Sequence, residues 1–287
     1  MSPEAQSILN EWSPPLYADL GILLTVVVYV CGWARLRRAS TVISAGRLTA
    51  FLAGMFFLWV SIGSPLAAFD DASLSVHMVQ HILLMLVVPP LILAGAPALP
   101  FLHGLPQWFA RSIVGSVLRW RPGQSAGKFL THPVVCWTLA AVALIGWHVP
   151  AAFELALRSD AWHDVEHVSF LFTSVLFWWP VVQPFPSEAH WPRWSIPLYL
   201  FLGMFPGSVL GAYLTFCERV VYGSYNATTR VFGITALQDQ IFAGSLMWVV
   251  GAFACFIPAV LITVKLLSPG ATEGKPAKSL QLGKVLR

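Results

Sequence analysis

The chain has 287 residues, of which 57% are apolar and 10% charged, with a mean hydropathy of +0.70 and a formal charge of +4. About a quarter of residues are charged in an ordinary soluble domain, so the composition argues against a soluble enzyme and for an integral protein of the lipid bilayer. The basic residues are spread over loops and tail instead of forming one patch, which argues against a nucleic-acid partner. Cys31, Cys136, Cys217 and Cys255 are isolated in apolar runs, which argues against a disulfide framework or a thiolate metal site.

From the start, MSPEAQSILNEWSPP has neither a basic n-region nor a small-residue cleavage site, so the first span is expected to be retained. Crossing a hydrocarbon core of about 30 Å takes roughly 20 apolar residues. Seven segments qualify: Leu16–Ala34, Leu48–Leu66, Ser75–Gly95, Pro133–His148, Trp162–Val182, Ile196–Phe216 and Ile241–Leu266. The expected fold is all-α, a polytopic seven-transmembrane-helix bundle forming one domain over residues 1–267. Pro89 and Pro90, Pro206 and Pro258 fall inside spans, where prolines are tolerated as kinks or breaks. Leu105 to Trp120 places Trp108, Phe109, Ile113, Val117 and Trp120 near one face, the pattern of a helix lying along the membrane surface. Residues 268–287 are polar and rich in Gly and Pro, as a disordered tail is.

Loop charges orient the bundle. Arg35, Arg37, Arg38 and Arg47 lie between the first and second spans, Arg111, Arg119, Arg121 and Lys128 between the third and fourth, and Lys265, Lys275, Lys278, Lys284 and Arg287 at the end. The alternate connections are acidic or balanced, beginning with Asp70 and Asp71. Basic loops stay cytoplasmic, which places the N-terminus outside and the C-terminus in the cytoplasm. The nearly neutral connection between the fifth and sixth spans is the one loop that adds nothing to this rule.

That topology brings five of the eight histidines to the outer ends of the helices. His77 and His81 open the third span as an i,i+4 pair, His163 and His167 open the fifth in the same way, and His148 closes the fourth within Trp147-His-Val-Pro150. Residues four apart share a helix face. Asp239, at the head of the seventh span, falls at the same depth. Ionisable groups inside membrane segments are costly and tend to face the bundle interior as functional groups. His77, His81, His148, His163, His167 and Asp239 are therefore the candidate metal ligands. Imidazole suits copper, zinc, iron and nickel, and Met78 and Met85 add soft thioethers suited to Cu(I). Asp164, Glu166 and Asp239 are candidate acceptors for the second imidazole nitrogen, or solvated charges at a helix N-terminus. His103, His132 and His190 are expected at the inner side as ordinary interfacial residues.

Other chemistries fit parts of this pattern. His163-Asp-Val-Glu-His167 matches H-x-x-E-H, in which Glu166 would act as a base beside zinc-bound water. Three histidines and an aspartate would serve a seven-span zinc-dependent hydrolase of membrane lipids. Histidines from the third and fifth spans could ligate haem. A transporter with a midplane site is disfavoured, because the polar groups gather at one face.

Four stretches taken together resemble a known family: H-M-V-Q-H at 77–81 ahead of Pro89-Pro90, W-H-x-P at 147–150, W-H-x-x-E-H at 162–167, and D-Q-x-x-A-G-x-x-M-W at 239–248. They are similar to the CtaG family of seven-span bacterial membrane proteins associated with assembly of caa-type cytochrome c oxidase. The resemblance implies an assembly factor without turnover of its own, in the bacterial cytoplasmic (inner) membrane. It implies a role in maturing the oxidase copper-B centre, with copper as the metal and subunit I of the oxidase as partner; a homo-oligomer is compatible with it. Copper held by imidazole should weaken as pH falls below the ordinary histidine pKa of about 6.5.

Overall fold

Apolar runs of this length can satisfy their backbone in a bilayer only as helices, and every regular element among the described residues is helical. The computed structural model describes residues 3–39, 44–109, 112, 120–184, 191–226 and 231–268. After a short helix at Pro3–Glu11, the first two spans are Leu16–Ala39 and Ala45–Ile62, the latter extended by a 3-10 turn at Pro65–Phe69. The third runs over Leu74–Ala94, the fifth is Asp160–Val182, the sixth Ser195–Phe216 and the seventh Ala236–Leu267. Pro206 and Pro258 sit inside helices that continue past them.

The fourth span departs from a simple rod. Pro133–Trp147 has 15 residues, about 22 Å at 1.5 Å per residue, and meets the preceding helix Arg121–Leu130 at 68°. A residue before proline is pushed out of the helical region, and His132 is extended there, with φ −67 and ψ 125. Among the described residues six helices are long and apolar enough to cross a membrane, and the bent pair, taken as one span, brings the number to seven.

The third span contains a π turn at Leu83–Val87 between α segments Leu74–Ile82 and Val88–Ala94. Pro89 has no N–H to offer the carbonyl four residues back, which belongs to Met85. Trp178 of the fifth span supplies the missing donor, its Nε1 lying 2.9 Å from that oxygen. The prolines therefore neither break nor end the span; an indole from a neighbouring helix repairs it.

Packing is close where side chains vanish. Gly211 and Gly244 face each other across the sixth and seventh spans, and a Cβ on either would lie 2.7 Å from the other's carbonyl oxygen. Only glycine permits this approach. Three apolar clusters result: Leu74, Met78, Phe153, Leu214, Tyr222 and Ala243 at the histidine-bearing end, Trp178, Leu200 and Cys255 toward the other end, and Tyr29, Phe51 and Leu84 among the first three spans. Met78 thus packs in a core, while Leu24, Val209, Phe253 and Leu261 face outward as a lipid-contacting surface. Of the expected surface helix at 105–120, residues 110, 111 and 113–119 lie outside the described residues, as does the tail from 269.

Candidate metal centre

The third and fifth spans start at the same end of the bundle, so their i,i+4 pairs meet. The His77 ring centroid lies 4.3 Å from His81, 5.3 Å from His163 and 6.5 Å from His167; His163 and His167 are 4.1 Å apart. His81 is 5.6 Å from His167 and 6.1 Å from His148, which caps the C-terminus of the fourth span. All five histidines expected to gather do gather.

Several nitrogen and oxygen atoms here are buried with no hydrogen-bond partner among the described residues. Both nitrogens of His77 and of His81, the Nε2 atoms of His148, His163 and His167, and both oxygens of Glu166 lack a hydrogen bond. His77 and Glu166 have no exposed surface, and His81 only 3%. An unsatisfied buried polar group costs about 1–3 kcal/mol, and native interiors leave few of them. So many in one place fit a group that supplies the missing contacts. His148 is tautomerically fixed, since its Nδ1 lies 2.8 Å from the Leu144 carbonyl and can only donate to it. Its Nε2 is thereby left as an acceptor lone pair.

Two carboxylates complete the cluster. Glu166 Oε1 is 3.7 Å from His81 Nε2, and Asp70 Oδ2 is 3.8 Å from His163 Nε2. One donor atom from each of Asp70, His77 and His163 lies within 4.8 Å of the other two, and the same holds for His77, His81 and Glu166. Donors bound to one ion at 2.0–2.1 Å must approach within about 4.2 Å of each other, so small side-chain rotations would close either set. His77 belongs to both. The mixed imidazole and carboxylate donors suit a first-row transition metal and not calcium or magnesium.

Asp70 follows the 3-10 turn, and its placement is locked. Its Oδ1 accepts from Asp71 N at 2.8 Å, its Oδ2 faces Gln80 Nε2 at 3.5 Å, and its carbonyl accepts from the Tyr225 hydroxyl at 2.8 Å. Burial, reinforced by the neighbouring Asp71 charge, pushes its carboxyl up to about 7. On the Asp70 side a cavity of about 380 Å³ is lined by Tyr17, Asp160, His163, Asp164 and His167, an acidic approach to the rings.

Asp239, grouped with the ligands on sequence grounds, has another place. Its carboxylate accepts from Leu74 N at 2.7 Å, Ser75 N at 3.1 Å, Ser73 Oγ at 3.1 Å and the Ser75 hydroxyl. It caps the N-terminus of the third span from across the bundle and so positions His77 and His81 without facing them. Asp164 receives the Tyr17 hydroxyl at 3.3 Å and holds no imidazole. His103 bonds the Leu99 carbonyl and His132 meets Trp191 edge to face, both away from the cluster; His190 lies outside the described residues. Sequence reasoning missed Asp70 as a candidate and named Glu166 as an imidazole acceptor, a helix-terminal charge or a base, but not among the metal ligands. The one signal for Asp70 was a carboxylate placed seven residues before His77 in a chain poor in charge.

Residues 27–268 match the family described as the cytochrome c oxidase caa3 assembly factor. Uncharacterized proteins of Mycobacterium bovis and Mycobacterium tuberculosis are each 24% identical over 288 aligned residues, which cover 96% of this chain and 42% of theirs. One of Mycobacterium leprae is 24% identical, with 85% of this chain and 37% of that one aligned. The chain therefore spans about two fifths of the length of the curated relatives it matches. No solved structure matches it.

Proposed function

The chain belongs to the cytochrome c oxidase caa3 assembly factor family, and from that premise we propose that it binds copper through its histidine and carboxylate cluster and passes it toward the copper-B centre of the oxidase. The observation that carries this reading is the convergence of nine buried nitrogen and oxygen atoms, from five histidines and Glu166, that have no hydrogen-bond partner. His77, His81 and His163 with Asp70 and Glu166 would hold the ion; His148 and His167 flank it as further donors. Copper is here the cargo, and the chain catalyses no reaction of its own.

With the basic loops held in the cytoplasm, this reading has the cluster on the outer side of a bacterial cytoplasmic membrane, where copper from the outer compartment would enter through the acidic cavity beside Asp70. Subunit I, which carries copper-B, is the partner this reading requires. Metal analysis of the purified chain tests it. Wild type should retain copper after loading and desalting, and His77→Ala/His167→Ala should lose most of it; equal copper in the two would refute the site.

A second reading, a zinc-dependent hydrolase, draws on Glu166, a buried carboxylate beside His81 that could serve as a base. It requires stoichiometric zinc and a hydrolysed lipid product, which the same preparations would reveal.

A further inference from the structure

Beneath the histidine cluster, toward the middle of the bundle, lies a cavity of about 90 Å³. His81 and His148 form its roof, and Met85, Met204, Met247 and Cys255 line its walls. Three of the chain's six methionines and one of its four cysteines thus surround a single space. His148 is 4% exposed and its Nε2 has no hydrogen bond. The cavity is held open by missing side chains: Gly207 and Gly251 line it, and a Cβ on Gly251 would meet nothing within 4 Å.

The charge around this space differs from that above it. Asp70 and Glu166 stand at the histidine cluster, whereas among the described residues no Asp, Glu, Lys or Arg lines the lower cavity. Moving an ion into a low-dielectric interior costs free energy that grows with the square of its charge. A divalent ion would be uncompensated there; a monovalent one bears a quarter of that cost. Thioether, thiol and neutral imidazole are also the donors that select soft monovalent ions over hard divalent ones.

We propose that this cavity is a second metal site, selective for a soft monovalent ion of the Cu(I) class, distinct from the carboxylate-bearing cluster and reached through His81 and His148. The proposal deepens the copper-binding reading and rests on it for the identity of the natural ion. Within it, the upper cluster is the entry site and the sulfur-lined cavity the holding site, with the two imidazoles lying between them.

The test uses the full chain carrying Cys31→Ser and Cys217→Ser, which removes the thiols outside the cavity, with Ag(I) as a redox-inert soft probe and Zn(II) as the divalent one. Protein preloaded with zinc should take up a further equivalent of silver whose X-ray absorption spectrum shows sulfur neighbours. Met85→Leu/Met204→Leu/Met247→Leu/Cys255→Ala should weaken silver binding by at least the roughly tenfold that loss of even an outer-shell partner costs, and leave zinc in place. Gly251→Leu should do the same by filling the space without removing a ligand. Silver bound as in the parent by either variant, or silver with only nitrogen and oxygen neighbours, would overturn the proposal. His77→Ala/His163→Ala separates the two sites: loss of zinc with silver retained supports the lower site by itself, while a parent protein that holds zinc but takes up no sulfur-bound silver refutes the lower site alone.

Discussion

A carboxylate that already accepts four hydrogen bonds has little left to offer a metal, and Asp239 is such a group. Asp239→Ala should destabilise the protein by about 3 kcal/mol, since buried donors at Ser73, Leu74 and Ser75 lose a charged acceptor. Thermal unfolding checks the loss, and metal per folded molecule should stay unchanged, as a ligand's removal would not allow. Asp70 behaves differently. Its pKa is raised to about 7, chiefly by burial and then by Asp71, so between its unfolded value of about 3.9 and 7 the folded state holds a proton that the unfolded state releases. The contribution of Asp70 to the stability of the metal-free protein should therefore shrink as pH rises across that window. Asp70→Asn, which cannot ionise, should remove that contribution, so the difference between the melting curves of the two metal-free proteins should change from pH 5 to 8. The histidines were legible at this scale because i,i+4 pairs at the heads of apolar runs are rare and share a face. Asp70 was not, because its inward placement depends on the Tyr225 hydroxyl, which arrives from a distant loop.

At the scale of elements, the spans were readable from hydropathy because a bilayer leaves an unbroken apolar run of about twenty residues no alternative to the helix. What hydropathy could not show is where a helix is mended or pinched by another. Trp178 reaching Met85 O and Gly211 lying against Gly244 are both contacts between residues far apart in sequence. Gly211→Leu should force the sixth and seventh spans apart and carry with them the third-span cap at Asp239. Folded yield should fall sharply, as size-exclusion chromatography would show, whereas Gly146→Ala, whose added Cβ meets nothing within 4 Å, should leave it unchanged. The bend at His132 was half visible, since Pro133 marks the end of a helix but does not give the 68° by which the chain turns.

For the whole molecule, orientation decides what the cluster can meet. The arginines after the first and third spans and the lysines of the tail predict an external N-terminus and a cytoplasmic C-terminus. A reporter that works only in the cytoplasm should be active when fused after Arg287, and a protease added outside intact cells should reach a tag placed before Met1. The opposite result would turn the histidine end toward the cytoplasm and remove copper delivery from the outer compartment. The π turn at Leu83–Val87 bears on this whole arrangement. It lies between the part of the third span that carries His77 and His81 and the part that runs on through Pro89. Each residue of an α-helix advances the chain by about 100°, and one residue more or less in this stretch would clock the two portions differently about a common axis. The histidine-bearing end and the core-packed end of this helix can thus be turned independently of each other.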